Sequence, residues 1–113
     1  MTRAGSTPNY FNILRKKTYT NVQDFECDLA ETVLLVLDDI KSGKIRAETA
    51  DKFFVELWDK DIVDRKALSA EAEELLFEGN LFHDWGTEFG PDQDLIIEKA
   101  NTILSRCKPQ TNQ

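Results

Sequence analysis

Apolar residues recur at helical spacing along most of the chain. In the clearest stretch, residues 21–42, they follow one another at intervals of three or four. The recurring positions are Val22, Phe25, Leu29, Val33, Val36 and Ile40. This spacing predicts an amphipathic helix that packs on one side against several partners. Asn21 can cap its start, and Gly43 follows as a C-terminal stop.

Three further segments show the same periodicity. The predicted helices span residues 47–59, 69–82 and 91–107. Ser69 can cap the second of these and Pro91 opens the third, while Gly79 and Asn80 end or bend the second. Because the turn 42–44 is short, we expect the helices on either side of it to pack as an antiparallel hairpin.

A shorter apolar group precedes these helices. Its members are Tyr10, Phe11, Ile13 and Leu14, and they follow the helix-starting pair Thr7-Pro8. A short helix is predicted here, with an extended arm as the alternative. No stretch alternates as a strand would, so we predict an all-α fold, an antiparallel four-helix bundle with a short additional N-terminal helix or arm. The expected division is a basic arm or short helix over 1–20, an acidic helical bundle over 21–107 and a disordered tail over 108–113.

Length and hydropathy restrict the class of protein. A chain of 113 residues with 41% hydrophobic residues fits one domain that can fold without a metal ion or disulfide. The longest apolar run, Val33 to Leu37, is far shorter than the roughly 20 residues of a membrane-spanning helix. Met1 leads into no charged-then-apolar signal segment. These features predict a soluble cytoplasmic protein.

Few residues are suited to catalysis or metal binding. Cys27 and Cys107 are far apart in sequence and belong to no CxxC pair, so we expect both to be reduced and partly buried. His83, the single histidine, excludes a multi-histidine metal centre. Its neighbour Asp84 is not expected to face it, and no nucleophile or phosphate-binding loop accompanies the pair. The stretch that begins at Asp59 is not a calcium loop, because Asp64 stands where the loop needs glycine and Ala70 where it needs glutamate. We therefore expect no enzyme activity and no cofactor.

Charge is distributed unevenly. Residues 1–20 carry four bases and no acid, whereas residues 21–113 carry 21 acids against 10 bases. Residues 56–98 are the extreme, with 13 acids and three bases. Such a surface repels nucleic acid and anionic lipid and attracts a basic partner. The same acids are also typical of an ordinary solubilising helix surface, and that interpretation stays open here.

Two stretches resemble a known family. They are DIKSGKIRAETADKFFVELW over residues 39–58 and LSAEAEELLF over residues 68–77, followed by a Pro-Asp loop and an amphipathic C-terminal helix. With them, residues 28–107 resemble the colicin D immunity-like family of small helical bacterial proteins. The resemblance implies a bacterial immunity protein, or antitoxin, whose acidic surface plugs the basic RNA-binding cleft of a cognate toxin ribonuclease. The charge distribution points independently to a basic protein partner.

On this hypothesis, acidic side chains imitate phosphates and one tryptophan supplies an apolar anchor. The predicted partner-binding residues are Asp59, Asp61, Asp64, Glu71, Glu74, Glu78, Asp84, Trp85 and Glu88. Neither a membrane nor a nucleic acid is expected to bind directly.

Two alternatives remain. In the first, the protein is a regulatory or adaptor domain that binds another protein through an apolar groove, and exposure of Phe77, Phe82 or Phe89 would favour it. In the second, the basic run Arg15-Lys16-Lys17 binds nucleic acid, although the net charge of −7 opposes this.

Overall fold

All regular secondary structure in the described part of the chain is helical. The computed structural model describes residues 10–15, 19–60 and 65–107, and these contain no strand. The α-helices are α1 (Tyr10–Arg15), α2 (Val22–Lys41), α3 (Ala47–Asp59), α4 (Ala70–Gly79) and α5 (Gln93–Ser105). Short 3₁₀ helices cover Arg65–Ala67 and Asn80–Asp84. The all-α prediction is confirmed.

Local sequence signals set most helix ends. The side chains of Asn21, Ser69 and Asp92 accept hydrogen bonds from the backbone N–H groups of Asp24, Ala72 and Leu95, at 2.9, 3.2 and 3.1 Å. These bonds satisfy N–H groups that have no partner inside the first turn of a helix. Gly43 has a φ of 81°, the left-handed conformation that ends a helix. The last helix begins two residues later than predicted, because Asp92 rather than Pro91 provides the cap.

The helices pack in an order that the short turn 42–44 does not predict. α5 lies between α2 and α4, whereas the closest backbone neighbour of α3 is the 3₁₀ helix Asn80–Asp84. Aromatic packing explains the second contact, since the rings of Phe54 and Phe82 are stacked with centroids 5.3 Å apart. The expected hairpin, with α2 and α3 closely packed, is not confirmed.

The short helix α1 belongs to the core. Tyr10, Phe11 and Leu14 are buried, and the Tyr10 hydroxyl donates to the buried carboxylate of Asp39 at 2.5 Å. Burial, together with the bond to Asp39, raises the pKa of Tyr10 well above its usual range. The capping pair Thr7-Pro8 and the expected tail 108–113 lie outside the described residues.

Substituting Tyr10→Phe is expected to lower the free energy of unfolding by about 1–3 kcal/mol, because the buried carboxylate loses a donor. A raised tyrosine pKa in the folded state gives stability that is present below the unfolded pKa of about 10 and is lost as pH rises. The free energy of unfolding of the variant should therefore fall less steeply than that of the wild type as pH rises above about 10. Urea unfolding between pH 7 and 11 measures both effects. At pH 7 the control is Tyr19→Phe, whose bond to the more exposed Asp28 should matter less; an equal loss of stability at pH 7 in both variants would contradict the prediction. Burial and the bond to Asp28 also raise the pKa of Tyr19, so the stability of this variant should likewise fall less steeply at alkaline pH.

A disulfide joins Cys27 to Cys107, so the expectation that both cysteines are reduced is wrong. Cys27 lies in the second turn of α2, and Cys107 follows the end of α5. Because the start of α2 meets the end of α5, residues 80 apart in sequence have Cα atoms 6.1 Å apart. The same meeting lets the Gln23 side-chain amide donate to the Arg106 carbonyl at 2.8 Å. Sequence distance alone was therefore a poor guide to pairing.

Candidate partner-binding surface

The predicted glutamates of α4 lie on the side of the helix next to α5, where Glu71 and Glu78 are half-buried and Glu74 is exposed. Glu71, Glu74 and Glu78 lie three and four residues apart, so they share one side of the helix. Arg106 Nη2 donates to Glu71 at 2.6 Å, Lys99 Nζ lies 3.0 Å from a Glu74 carboxylate oxygen, and the Asp92 backbone N–H donates to Glu78 at 2.7 Å. All three carboxylates therefore link α4 to α5.

These contacts compensate part of the acidic charge on α4. The hydrogen bond from Arg106 holds the pKa of Glu71 below its usual value, and the hydrogen bond to Glu74 raises the pKa of Lys99. A carboxylate with an internal cation attracts a partner's cation less strongly. The three glutamates therefore stabilise the packing of α4 against α5, and they are less available to a partner than unpaired carboxylates.

The loop residues Asp84, Trp85 and Glu88 have different surroundings. The Trp85 ring is partly buried and stacks on Phe82, with centroids 5.3 Å apart and planes 6° apart, so it covers the core. Asp84 lies 3.3 Å from the His83 ring nitrogen, which corrects the expectation that these neighbours do not face each other. Glu88 is exposed beside Phe89, whose side chain is 67% exposed.

The remaining predicted residues lie near the end of α3. Asp59 is the exposed last residue of that helix. Asp61 and Asp64 lie outside the described residues. The structure thus distributes the seven described residues over three places: the side of α4 next to α5, the end of the 3₁₀ helix Asn80–Asp84 together with the loop after it, and the end of α3.

An apolar strip, exposed at Val55 and Phe77 and partly buried at Trp58, crosses from α3 to α4 beside Asp59. Val55 and Trp58 lie one turn apart on α3, and the Trp58 ring contacts the Phe77 ring of α4 at a centroid distance of 5.6 Å. Val55 is 45% exposed and Phe77 is 62% exposed. We call Val55, Trp58 and Phe77 the α3–α4 strip.

Acidic residues flank the α3–α4 strip. Asp51 and Asp59 lie four residues on either side of Val55, and Glu73 lies four residues before Phe77, so each is one turn from a strip residue. Within the described ranges none of these three carboxylates forms an ion pair. Lys60, the nearest cation after Asp59, lies over the Phe11 ring at 5.9 Å.

Asp51, Glu73, Val55 and Trp58 were not among the predicted contact residues, and Phe77 was named only for the apolar-groove alternative. Trp58 fits the apolar stripe of α3, and Phe77 continues an apolar run after two buried leucines. The sequence did contain a signal for the exposure of Phe77, namely its position around the helix axis. Phe77 follows Glu73 by one helical turn, so it lies on the polar side of α4.

An open cavity of about 260 Å³ lies where α2 begins and α5 ends. Its lining residues are Val22, Gln23, Glu26, Ala67, Ser69, Ile103 and Arg106. Both oxygens of the buried Glu26 carboxylate already accept hydrogen bonds from Ser69, one from its N–H and one from its hydroxyl, each at 2.7 Å. The Glu26 carboxylate in this cavity therefore holds the start of α4 against α2.

The described ranges contain neither a metal-binding cluster nor a membrane-spanning helix. No group of three or more His, Cys, Asp and Glu side chains there is arranged to hold a metal ion. No helix there combines the length and the apolar character needed to cross a bilayer.

Comparison with known proteins gives this chain no relative: no family model, no curated protein and no solved structure matches it.

Proposed function

We propose that this chain is a non-catalytic immunity or inhibitor protein whose acidic surface binds and blocks the basic active site of a cognate toxin nuclease. The observation that carries the proposal is the excess of acids over residues 56–98, of which Asp59, Glu73 and Glu88 are exposed. Exposed acids without an internal cation can attract and orient a cationic surface.

The internal ion pairs support a binding role of this kind. Because Glu71, Glu74 and Glu78 hold α4 against α5, the outer side of α4 is presented on a rigid element. Rigid presentation lowers the entropy lost on association. Asp59 and Glu73 would then take the positions of phosphates in the partner's cleft, with Asp84 and Glu88 contributing from the loop.

A pair of matched charge reversals tests the proposal. D59K/E73K changes the net charge by +4 on the proposed surface, and E31K/D38K makes the same change on exposed positions of α2. Each tagged protein is used to capture partners from the native host at low salt, and the captured protein is eluted with rising salt. We expect a basic protein with nuclease activity that the wild-type chain inhibits. D59K/E73K should weaken its binding roughly tenfold or more, since reversal places like charges together.

Two results would contradict the proposal. One is that both variants bind as the wild type does, with an unchanged salt dependence. The other is that the captured protein is acidic, or retains full activity when bound.

A second candidate function is an adaptor that binds an apolar segment of another protein. Phe77 and Phe89, exposed by 62% and 67%, favour it, whereas Phe82 is 1% exposed and belongs to the core. Apolar contacts are insensitive to salt screening, so a partner that stays bound at high ionic strength would favour the adaptor.

The proposed protein is an antiparallel four-helix bundle with an additional N-terminal helix or arm. Its proposed location is the bacterial cytoplasm. Direct contact with nucleic acid or with a membrane is no part of the proposal. The side chain of Arg15, and the residues Lys16 and Lys17 of the basic run, lie outside the described part.

A further inference from the structure

We propose that the α3–α4 strip receives an arginine-bearing segment of the basic partner, whose guanidinium stacks on Phe77 and pairs with Glu73. This inference rests on the proposed function and adds the place of contact and the kind of side chain that is recognised.

Phe77 lies outside the buried side of α4. Ala72, Leu75, Leu76 and Gly79 are buried and form the inner side of the helix. Phe77 lies on the opposite side with 62% of its side chain exposed, supported laterally by the Trp58 ring. Burying an exposed aromatic ring is favourable, and tryptophan is among the residues that dominate interface energies.

The charged residues near the α3–α4 strip indicate what kind of segment binds there. Asp51, Asp59 and Glu73 each lie one helical turn from a strip residue. Among the described residues, the exposed Lys52 is the one cation at that interval. The net negative charge around an apolar surface suits a segment that is both cationic and partly apolar. Glu73 and Phe77 are one turn apart, which brings their Cβ atoms within about 6 Å. A planar guanidinium can cover the ring and still donate to the carboxylate, whereas a compact lysine ammonium is more strongly hydrated and stacks less well.

Two synthetic peptides, nona-arginine and nona-lysine, provide the test at low ionic strength. Binding is followed by the indole N–H resonances of the two tryptophans in ¹H–¹⁵N spectra, assigned with W85F. We expect nona-arginine to bind more tightly than nona-lysine and to shift the Trp58 resonance but not that of Trp85. F77A and E73Q should each weaken nona-arginine binding about three- to tenfold.

Matched controls are available on other surfaces. F89A removes an equally exposed ring, and L35A with E31Q alters an exposed apolar residue beside an acid on α2. These variants should bind nona-arginine as the wild type does. The inference is overturned if F77A and E73Q bind normally, or if F89A loses as much affinity.

The outcomes separate this inference from the proposed function. If F77A and E73Q bind the peptide as the wild type does, the α3–α4 strip is not the arginine-binding site, and the proposal of an acidic inhibitor surface is unaffected. Peptide binding that depends on Phe77, combined with a captured partner whose activity is not inhibited, supports the strip and overturns the inhibitor function.

Discussion

Replacing Phe54 by alanine is expected to lower the free energy of unfolding by about 3–5 kcal/mol. The Phe54 side chain is fully buried, its ring stacks on Phe82, and it meets the Phe53 ring edge-on at 5.0 Å. Removing the ring leaves a cavity where α3 meets the 3₁₀ helix Asn80–Asp84. Urea unfolding measures the loss, and V55A is the control because Val55 lies on the outer face of the same helix.

A substitution at Gly79 tests whether the Phe54 ring packs as the structure shows. A methyl group at this position would overlap three carbons of the Phe54 ring, so the ring passes directly over the glycine. G79A alone should therefore cost about 1–3 kcal/mol through overpacking. In the F54A background the methyl group has space, so the same substitution should cost nothing or stabilise. Additive losses in the double variant would show that the two positions are not in contact.

Signals within one or two helical turns predicted the helices well. The bounds predicted for α3 match the structure, and the caps Asn21 and Ser69 act as expected. A break near Gly79 was also predicted, and the chain changes there from α-helix to 3₁₀ helix. These features depend on side chains a few residues apart, which the sequence displays directly.

Features that depend on the meeting of distant segments were not predicted. The disulfide, the Glu26–Ser69 hydrogen bonds and the contact of α3 with the 3₁₀ helix Asn80–Asp84 join residues far apart in sequence. The candidate site has the same limit: counting acids located the acidic region, but it did not show that Glu74 pairs with Lys99 of α5 or that Glu71 pairs with Arg106 at the end of that helix. The exposed face of Phe77 became visible only when the inner side of α4 was known.

Removing the disulfide with C27S/C107S is expected to lower the free energy of unfolding by about 2–5 kcal/mol. The bond joins residues 80 apart in sequence, so it restricts the unfolded chain strongly. The packing of α5 between α2 and α4 and the bond from Gln23 to the Arg106 carbonyl remain, so the variant should keep the fold. Its denaturant slope should rise, because an unfolded chain without the cross-link exposes more surface.

Wild-type protein in reductant is the matched control and should unfold at the same urea concentration as C27S/C107S. Addition of reductant to the double variant should change nothing. An unchanged midpoint for both reduced wild type and variant would contradict a stabilising cross-link.

The disulfide also tests where the protein acts. Disulfides persist in oxidising compartments and are rare in the cytosol, where thiols are kept reduced. The Cys27–Cys107 bond therefore opposes the cytoplasmic location that the sequence predicts. Thiols trapped with a maleimide reagent at the moment of cell lysis decide between the two. Modification of both cysteines only after added reductant would place the chain in an oxidising compartment and would contradict the proposed cytoplasmic location. Modification of both cysteines without reductant would show them reduced in the cell and would support the cytoplasmic location of the proposed immunity protein.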